Sequence, residues 1–155
     1  MDKAVLEFLV EFHGKRDYFE CHEILEERWK EAPKAERELY FVALIQIAVG
    51  YYHWRRENFT GAWSMFHKIV EKLFSDDVYE TLTDIGFDVE LLQRYVFRHM
   101  YEIEHKFPYK SQYLPLKKEL LDTCIQACAA RGLDFYTDSP MEDTYLINKH
   151  LLRKR

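Results

Sequence analysis

The side chains whose types and spacing suit chemistry lie in two stretches, Asp17 to Trp29 and Leu39 to Trp63. In the first, His22-Glu23-Ile24-Leu25-Glu26 places an imidazole and two carboxylates within little more than one helical turn. With Tyr18 set at zero on a helical wheel, Leu25 falls near roughly −20°, Trp29 near 20°, His22 near 40° and Glu26 near 80°. His22 therefore points into the apolar face with Glu26 at its edge, while Glu23, about 140° round, points toward solvent. In the second stretch, Gln46 and His53 share a helical face with Leu39, Val42, Ala43, Val49 and Gly50.

Two kinds of chemistry fit these residues. His22, Glu26 and His53 have the composition of a three-ligand site for one divalent metal such as zinc, with a fourth position open to water and Glu23 as a possible base. The stretch is similar to the zinc-protease pattern His-Glu-x-x-His, except that Glu26 stands where the second imidazole belongs. The preferred reading is structural: His22, Glu26, Gln46 and His53 form a buried hydrogen-bonded cluster that fixes the register of two helices. Polar groups taken out of water must find partners, and the economical partners are one another. On this reading no cofactor is required. Elsewhere, Glu102-Ile103-Glu104-His105 holds one Glu-x-x-His unit where a di-iron bundle uses two, and it reads as an exposed helix end. Cys124 and Cys128 read as buried free thiols, since no further pair completes a zinc site. There is no glycine-rich phosphate loop and no Gly-x-Ser-x-Gly elbow.

The elements that position these residues follow from caps and periodicity. Asp2 caps a first helix carrying Val5, Leu6, Phe8, Leu9 and Phe12, which Gly14 is expected to close. Asp17 caps a second, with Glu20 as its capping-box partner, and Pro33 ends it. A third helix, about 35–56, is apolar on every side and is expected to be the hub of the fold. Asn58 starts a fourth helix, 59–74, and Ser75 a short one. Asp88 caps a fifth major helix to about His105, Pro115 opens a sixth that Gly132 closes, and Ser139-Pro140-Met141-Glu142 signals a last helix through Leu152. The fold class is all-α: a single-domain bundle of about six or seven helices around a central apolar helix, with a motif-bearing core at about 2–74 and C-terminal helices at about 75–155.

Composition narrows the function classes. The chain of 155 residues is 48% hydrophobic with 11 Phe and 11 Tyr but only 5 Gly and 4 Pro, a globular profile. A net charge of −5 makes nucleic acid an unlikely partner, because such binding depends on Lys and Arg contacts to phosphate. The terminal basic run Lys149 to Arg155 reads as a solvated last helical turn. Three cysteines without paired spacing fit a reducing, cytoplasmic setting, and the acidic N-terminal stretch predicts no export. The apolar run Leu39 to Tyr52 is shorter than the ~20 residues of a membrane span, so none is expected.

The assembled residues resemble the DUF309 domain family of small helical proteins. The resemblance rests on Tyr18 through Glu27, Trp29, Arg37, Leu44-Ile45-Gln46, His53, and Asn58 with Gly61-Ala62. The chain departs from the family pattern at Val42-Ala43, where the family carries Gln-Gly, and at Glu57, where it carries Gly. The resemblance implies a helical fold and no particular activity. The expected function is a non-enzymatic binding or interaction module built round the polar cluster, its ligand unknown. The alternative is a metal-dependent, hydrolase-like enzyme using His22, Glu26 and His53. Any exposed members of Tyr51, Tyr52 and Trp54 would suit a protein partner or a homodimer, since aromatic types are enriched at interfaces, but core packing is the preferred reading of the three.

Overall fold

The computed structural model describes the backbone of residues 1–153 and the side chains of residues 1–151. Among the described residues the chain is all-α. Seven longer helices, α1 (Lys3–Val10), α2 (Tyr18–Glu31), α3 (Leu39–Arg55), α4 (Phe59–Leu73), α5 (Asp76–Ile85), α6 (Val89–Glu104) and α7 (Lys118–Ala130), precede two short ones, α8 (Thr144–Ile147) and α9 (Lys149–Arg153). None of the described helices is long and apolar enough to cross a membrane.

The hub is α3. It packs against α2 on one side and α4 and α5 on others, and it buries most of its surface through residues such as Phe41, Leu44, Ile47, Tyr51 and Trp54. A helix largely enclosed this way has an apolar sequence on most faces; the remaining face, with Val42, Ile45, Gln46, Val49 and His53, is only half-buried. Gly50 matters here: a Cβ at that position would lie 2.8 Å from the ring of Phe66, so the missing side chain is what lets α4 approach. One hydrophobic cluster runs from Val5 in α1 to Phe135 beyond α7.

Most starts fall where the caps predict. Asp2 Oδ1 accepts from the Ala4 N–H at 2.9 Å, Asp17 Oδ1 from Glu20 at 3.0 Å, Asn58 Oδ1 from Gly61 at 3.0 Å, and Asp88 Oδ1 from Leu91 at 3.1 Å. Each satisfies an N–H that has no partner inside its helix.

Four details differ from expectation, each for a tertiary reason. Gly14 does not close α1: the helix runs on through a π turn, Glu11–Lys15, and Arg16 takes the left-handed conformation at φ 55°. Gly14 is instead where Leu133 and Cys128 pack, since a Cβ there would meet them at 3.2 and 3.3 Å. The hub helix begins at Leu39, not near residue 35, because Lys34–Glu36 form a single 3₁₀ turn and Arg37 and Glu38 stay extended. Arg37 holds that extension by donating from Nε to the Ala32 carbonyl at 3.0 Å while stacking over Trp29. The sixth major helix begins at Lys118, as Leu116 pairs with Phe87 in an isolated antiparallel bridge. That bridge forms beside Gly86, whose φ of 123° and 2.8 Å virtual contact with Leu120 admit only glycine. The last helix is capped by Asp143 and broken at Asn148; Ser139 is unavailable as its cap because its N–H donates to Ser111 and its hydroxyl accepts from Arg55.

Candidate functional site

Where α2 crosses α3, Tyr18, Phe19 and His22 face Val49, Tyr52 and His53, and His150 of α9 closes the far side. Together they line a cleft of about 150 Å³. Its walls are aromatic and aliphatic, with Phe19 5.9 Å from Tyr52, 5.7 Å from His22 and 6.4 Å from His150 between ring centroids. A larger groove, about 460 Å³, follows Asp2, Glu7, Glu27 and Arg28, but it is open charged surface spanned by the Arg28–Asp2 ion pair.

His22 is half-buried, and its Nε2 lies 2.6 Å from Glu26 Oε2. Lys30 holds the other oxygen of Glu26 at 2.7 Å. The hydrogen bond from Lys30, helped by His22, keeps the Glu26 carboxyl below the usual range although partial burial opposes this. Glu23 lies 3.8 Å from His22 Nδ1 and is half-exposed. His53 sits one turn beyond Val49, and its imidazole pKa is lowered by burial, with Arg56 and His150 adding to the effect. The Asn58 cap fixes the His53 tautomer. Because Asn58 Oδ1 is committed to the Gly61 N–H, its amide nitrogen is the atom 3.3 Å from His53 Nδ1. A neutral ring that accepts at Nδ1 carries its proton on Nε2.

The fourth wall is held by long-range contacts. The Tyr52 hydroxyl accepts from the backbone N–H of His150 at 3.1 Å and hydrogen-bonds its Nδ1, while Arg56 Nη1 approaches Nε2 at 3.4 Å. Burial raises the Tyr52 pKa, so the phenol stays protonated. Lys149, one residue earlier, binds Asp17 Oδ2 at 2.6 Å. The expectation of a solvated basic turn therefore fails at Lys149, whose side chain is only 12% exposed, and at His150. The side chain of Arg153, together with Lys154 and Arg155, lies outside the described residues.

The fold thus brings His22 and Glu26 into contact and sets His22 and His53 on one cleft. Gln46 does not join them: its Oε1 is buried without a hydrogen-bond partner, and it is not part of the cleft wall. Among the described residues no three His, Cys, Asp or Glu side chains are arranged to hold a metal ion. Tyr51, Tyr52 and Trp54 are 1%, 3% and 1% exposed, so they are core residues, as preferred, and offer no interaction surface. Trp54 Nε1 donates to the Phe107 carbonyl at 2.8 Å, and the Tyr51 hydroxyl lies 2.7 Å from His99 Nε2.

Two features lay beyond the sequence reading. His99, boxed by Trp54 and Phe66, links Tyr51 to Glu102, which lies 3.2 Å from its Nδ1. Burial, with Arg98 nearby, lowers the His99 pKa to about 3. His13 is equally enclosed, donating from Nδ1 to Leu9 O at 2.9 Å and accepting the Leu114 N–H at Nε2. The Leu9 bond and the His99–Glu102 contact are the four- and three-residue spacings of one helical turn, signals readable in sequence; Tyr51 and Tyr52 meet His99 and His150 across 48 and 98 residues. Cys124 and Cys128 are buried free thiols, as expected, and Cys21 is buried as well.

The uncharacterized protein YpuF of Bacillus subtilis (strain 168) is 42% identical over 159 aligned residues, covering 99% of this chain and 87% of that relative. No solved structure matches the chain. Residues 5–65 match the model of a domain of unknown function, DUF309, a span that contains every wall of the cleft except His150. With that match across α1, α2 and α3 and a relative aligned over nearly its whole length, the chain belongs to the DUF309 family.

Proposed function

We propose that the protein is a non-enzymatic, cytoplasmic, single-domain binding module whose site is the cleft between α2, α3 and α9. The observation that carries the proposal is the convergence of His22, His53 and His150, from three separate helices, on an otherwise apolar cleft. At about 150 Å³ the cleft is well below the ~300–1,000 Å³ of sites that enclose a whole drug-sized ligand, so it suits a small flat molecule or one moiety of a larger one. A neutral His53 and a protonated Tyr52 offer hydrogen bonds without net charge. The test is NMR of the histidine ring resonances while neutral aromatic fragments are titrated in. Saturable shifts of His22 and His53 together, lost in His53→Ala, are expected; no saturable shift with any fragment refutes the proposal.

Two further readings belong with it. A protein partner or second copy has an available surface in the exposed run Phe74, Phe97, Tyr101 and Phe107, and light scattering of a purely monomeric species at high concentration would end the homodimer. The metal-dependent hydrolase, with His22, Glu26 and His53 as ligands and Glu23 as base, is favoured only by His22 and His53 sharing the cleft.

A further inference from the structure

Two arginines lie in the interior without an acid. Arg16, at the junction before α2, is 0% exposed, and Arg55, in the last turn of α3, is 3% exposed. Among the described residues neither pairs with a carboxylate. The acidic neighbours of Arg16 in the chain are engaged elsewhere, Asp17 by Lys149 at 2.6 Å and Glu11 by Arg131 at 3.1 Å. Removing an unpaired guanidinium from water is costly, and the rings beneath them, Tyr113 at 4.8 Å from Arg16 and Tyr18 at 4.4 Å from Arg55, offset only part of that.

Their donors are only partly used. Arg16 donates from Nε to the Thr137 carbonyl at 2.9 Å and from Nη1 to the Gln112 carbonyl, leaving Nη2 without a partner. Arg55 donates from Nη1 to the Arg16 carbonyl at 2.6 Å and to Ser139 Oγ at 2.9 Å, leaving both Nε and Nη2 without one. Nε and Nη2 form a parallel N–H pair whose spacing matches two oxygens of one carboxylate or phosphate. The bond from Arg55 to the Arg16 carbonyl ties the two cations into one unit.

We propose that Arg16 and Arg55 form a binding site for an oxyanion, the carboxylate or phosphate group of a small molecule, and that residues 134–150 act as a strap over it. The strap is fastened mainly by polar contacts: Thr137 and Ser139 to the arginines themselves, Lys149 to Asp17, and His150 to Tyr52. Its buried apolar anchors are Phe135 and Leu146. With the strap displaced, an anion seated on the empty Nε and Nη2 of Arg55 and the Nη2 of Arg16 would supply the missing counterion without taking the donors already used by Thr137 and Ser139. The two arginines do not line the cleft, but Tyr18 is both the ring beneath Arg55 and a cleft wall, and the fastening of His150 to Tyr52 closes the cleft as well as the strap.

The test is thermal unfolding of the full chain with inorganic phosphate, with acetate, and with chloride at matched ionic strength. A saturable rise in melting temperature with phosphate, acetate or both, but not with chloride, is expected; the effective anion identifies which headgroup the site takes. Arg55→Lys, which keeps the charge and loses the fork, is expected to weaken the response roughly tenfold, while Arg94→Ala on the exposed face of α6 leaves it unchanged. Equal responses to all three salts, or an undiminished response in Arg55→Lys, overturn the proposal. Because Arg55→Lys can fail to fold, hydrogen exchange of the wild-type chain gives a second reading. The effective anion is expected to slow exchange selectively in residues 134–150, and a uniform change or none refutes the strap.

Discussion

Lowering the pH from 7 to 5 is expected to destabilise the protein by about 4 kcal/mol through two buried histidines that take no part in the cleft. His13 and His99 are both held near a pKa of about 3 against an ordinary value of 6.5. Burial is the main cause in each; the bond to Leu9 opposes it at His13, whereas Arg16 and Arg98 add to it at their respective rings. Each ring is neutral in the folded protein down to the folded pKa, whereas the unfolded chain takes up a proton below 6.5. Their contribution is therefore complete above pH 6.5 and is lost as the pH falls from there toward 3. Between pH 7 and 5 each histidine costs about 2 kcal/mol, with the slope approaching about 1.4 kcal/mol per pH unit per proton. His53, shifted the same way, adds to the effect, and Glu102 beside His99 is the acid that would reduce it. Urea unfolding at both pH values, followed by the fluorescence of the buried Trp54, measures the difference. His99→Gln keeps a hydrogen-bonding group opposite Tyr51 without a titrating ring, and should halve the pH dependence whatever it does to stability at pH 7. A wild-type difference below about 1 kcal/mol, or an undiminished slope in His99→Gln, would refute the reasoning.

Asn58→Ala should cost about 1 kcal/mol in chemical denaturation by removing the α4 cap, and should also change the His53 tautomer balance seen in ¹⁵N NMR, because Asn58 holds its Nδ1. Gly50→Ala sets a gain of about 1 kcal/mol in helix propensity against about 1–3 kcal/mol for displacing Phe66, so a net loss of about 1 kcal/mol is expected in thermal or urea unfolding. Purified protein is expected to carry no stoichiometric zinc by elemental analysis; one ion per chain, lost in His22→Ala, would promote the hydrolase reading above the binding module.

Local chemistry in the chain was enough to specify most helix starts and the hub. Asp2, Asp17, Asn58 and Asp88 cap because their carboxyl or amide oxygens reach N–H groups two or three residues on, and such contacts need no knowledge of the rest of the molecule. The apolarity of Leu39 to Tyr52 likewise announced a hub helix, although the face of Val42, Ile45, Gln46 and Val49 is only half-buried. Even His22 meeting Glu26 is one helical turn of arithmetic. What spacing cannot supply is which distant residues share a site. Tyr52 and His150 meet across 98 residues, and Arg55 and Ser139 across 84, because α9 and the loop before it fold back on α3. Arg16 rather than Gly14 takes the left-handed turn, since its buried side chain fastens remote carbonyls while Gly14 is needed where Leu133 packs. Periodicity assigns a residue to a face. The neighbours waiting at that face, and hence the third imidazole of the cleft and the two cations without an acid, are settled only when the helices pack.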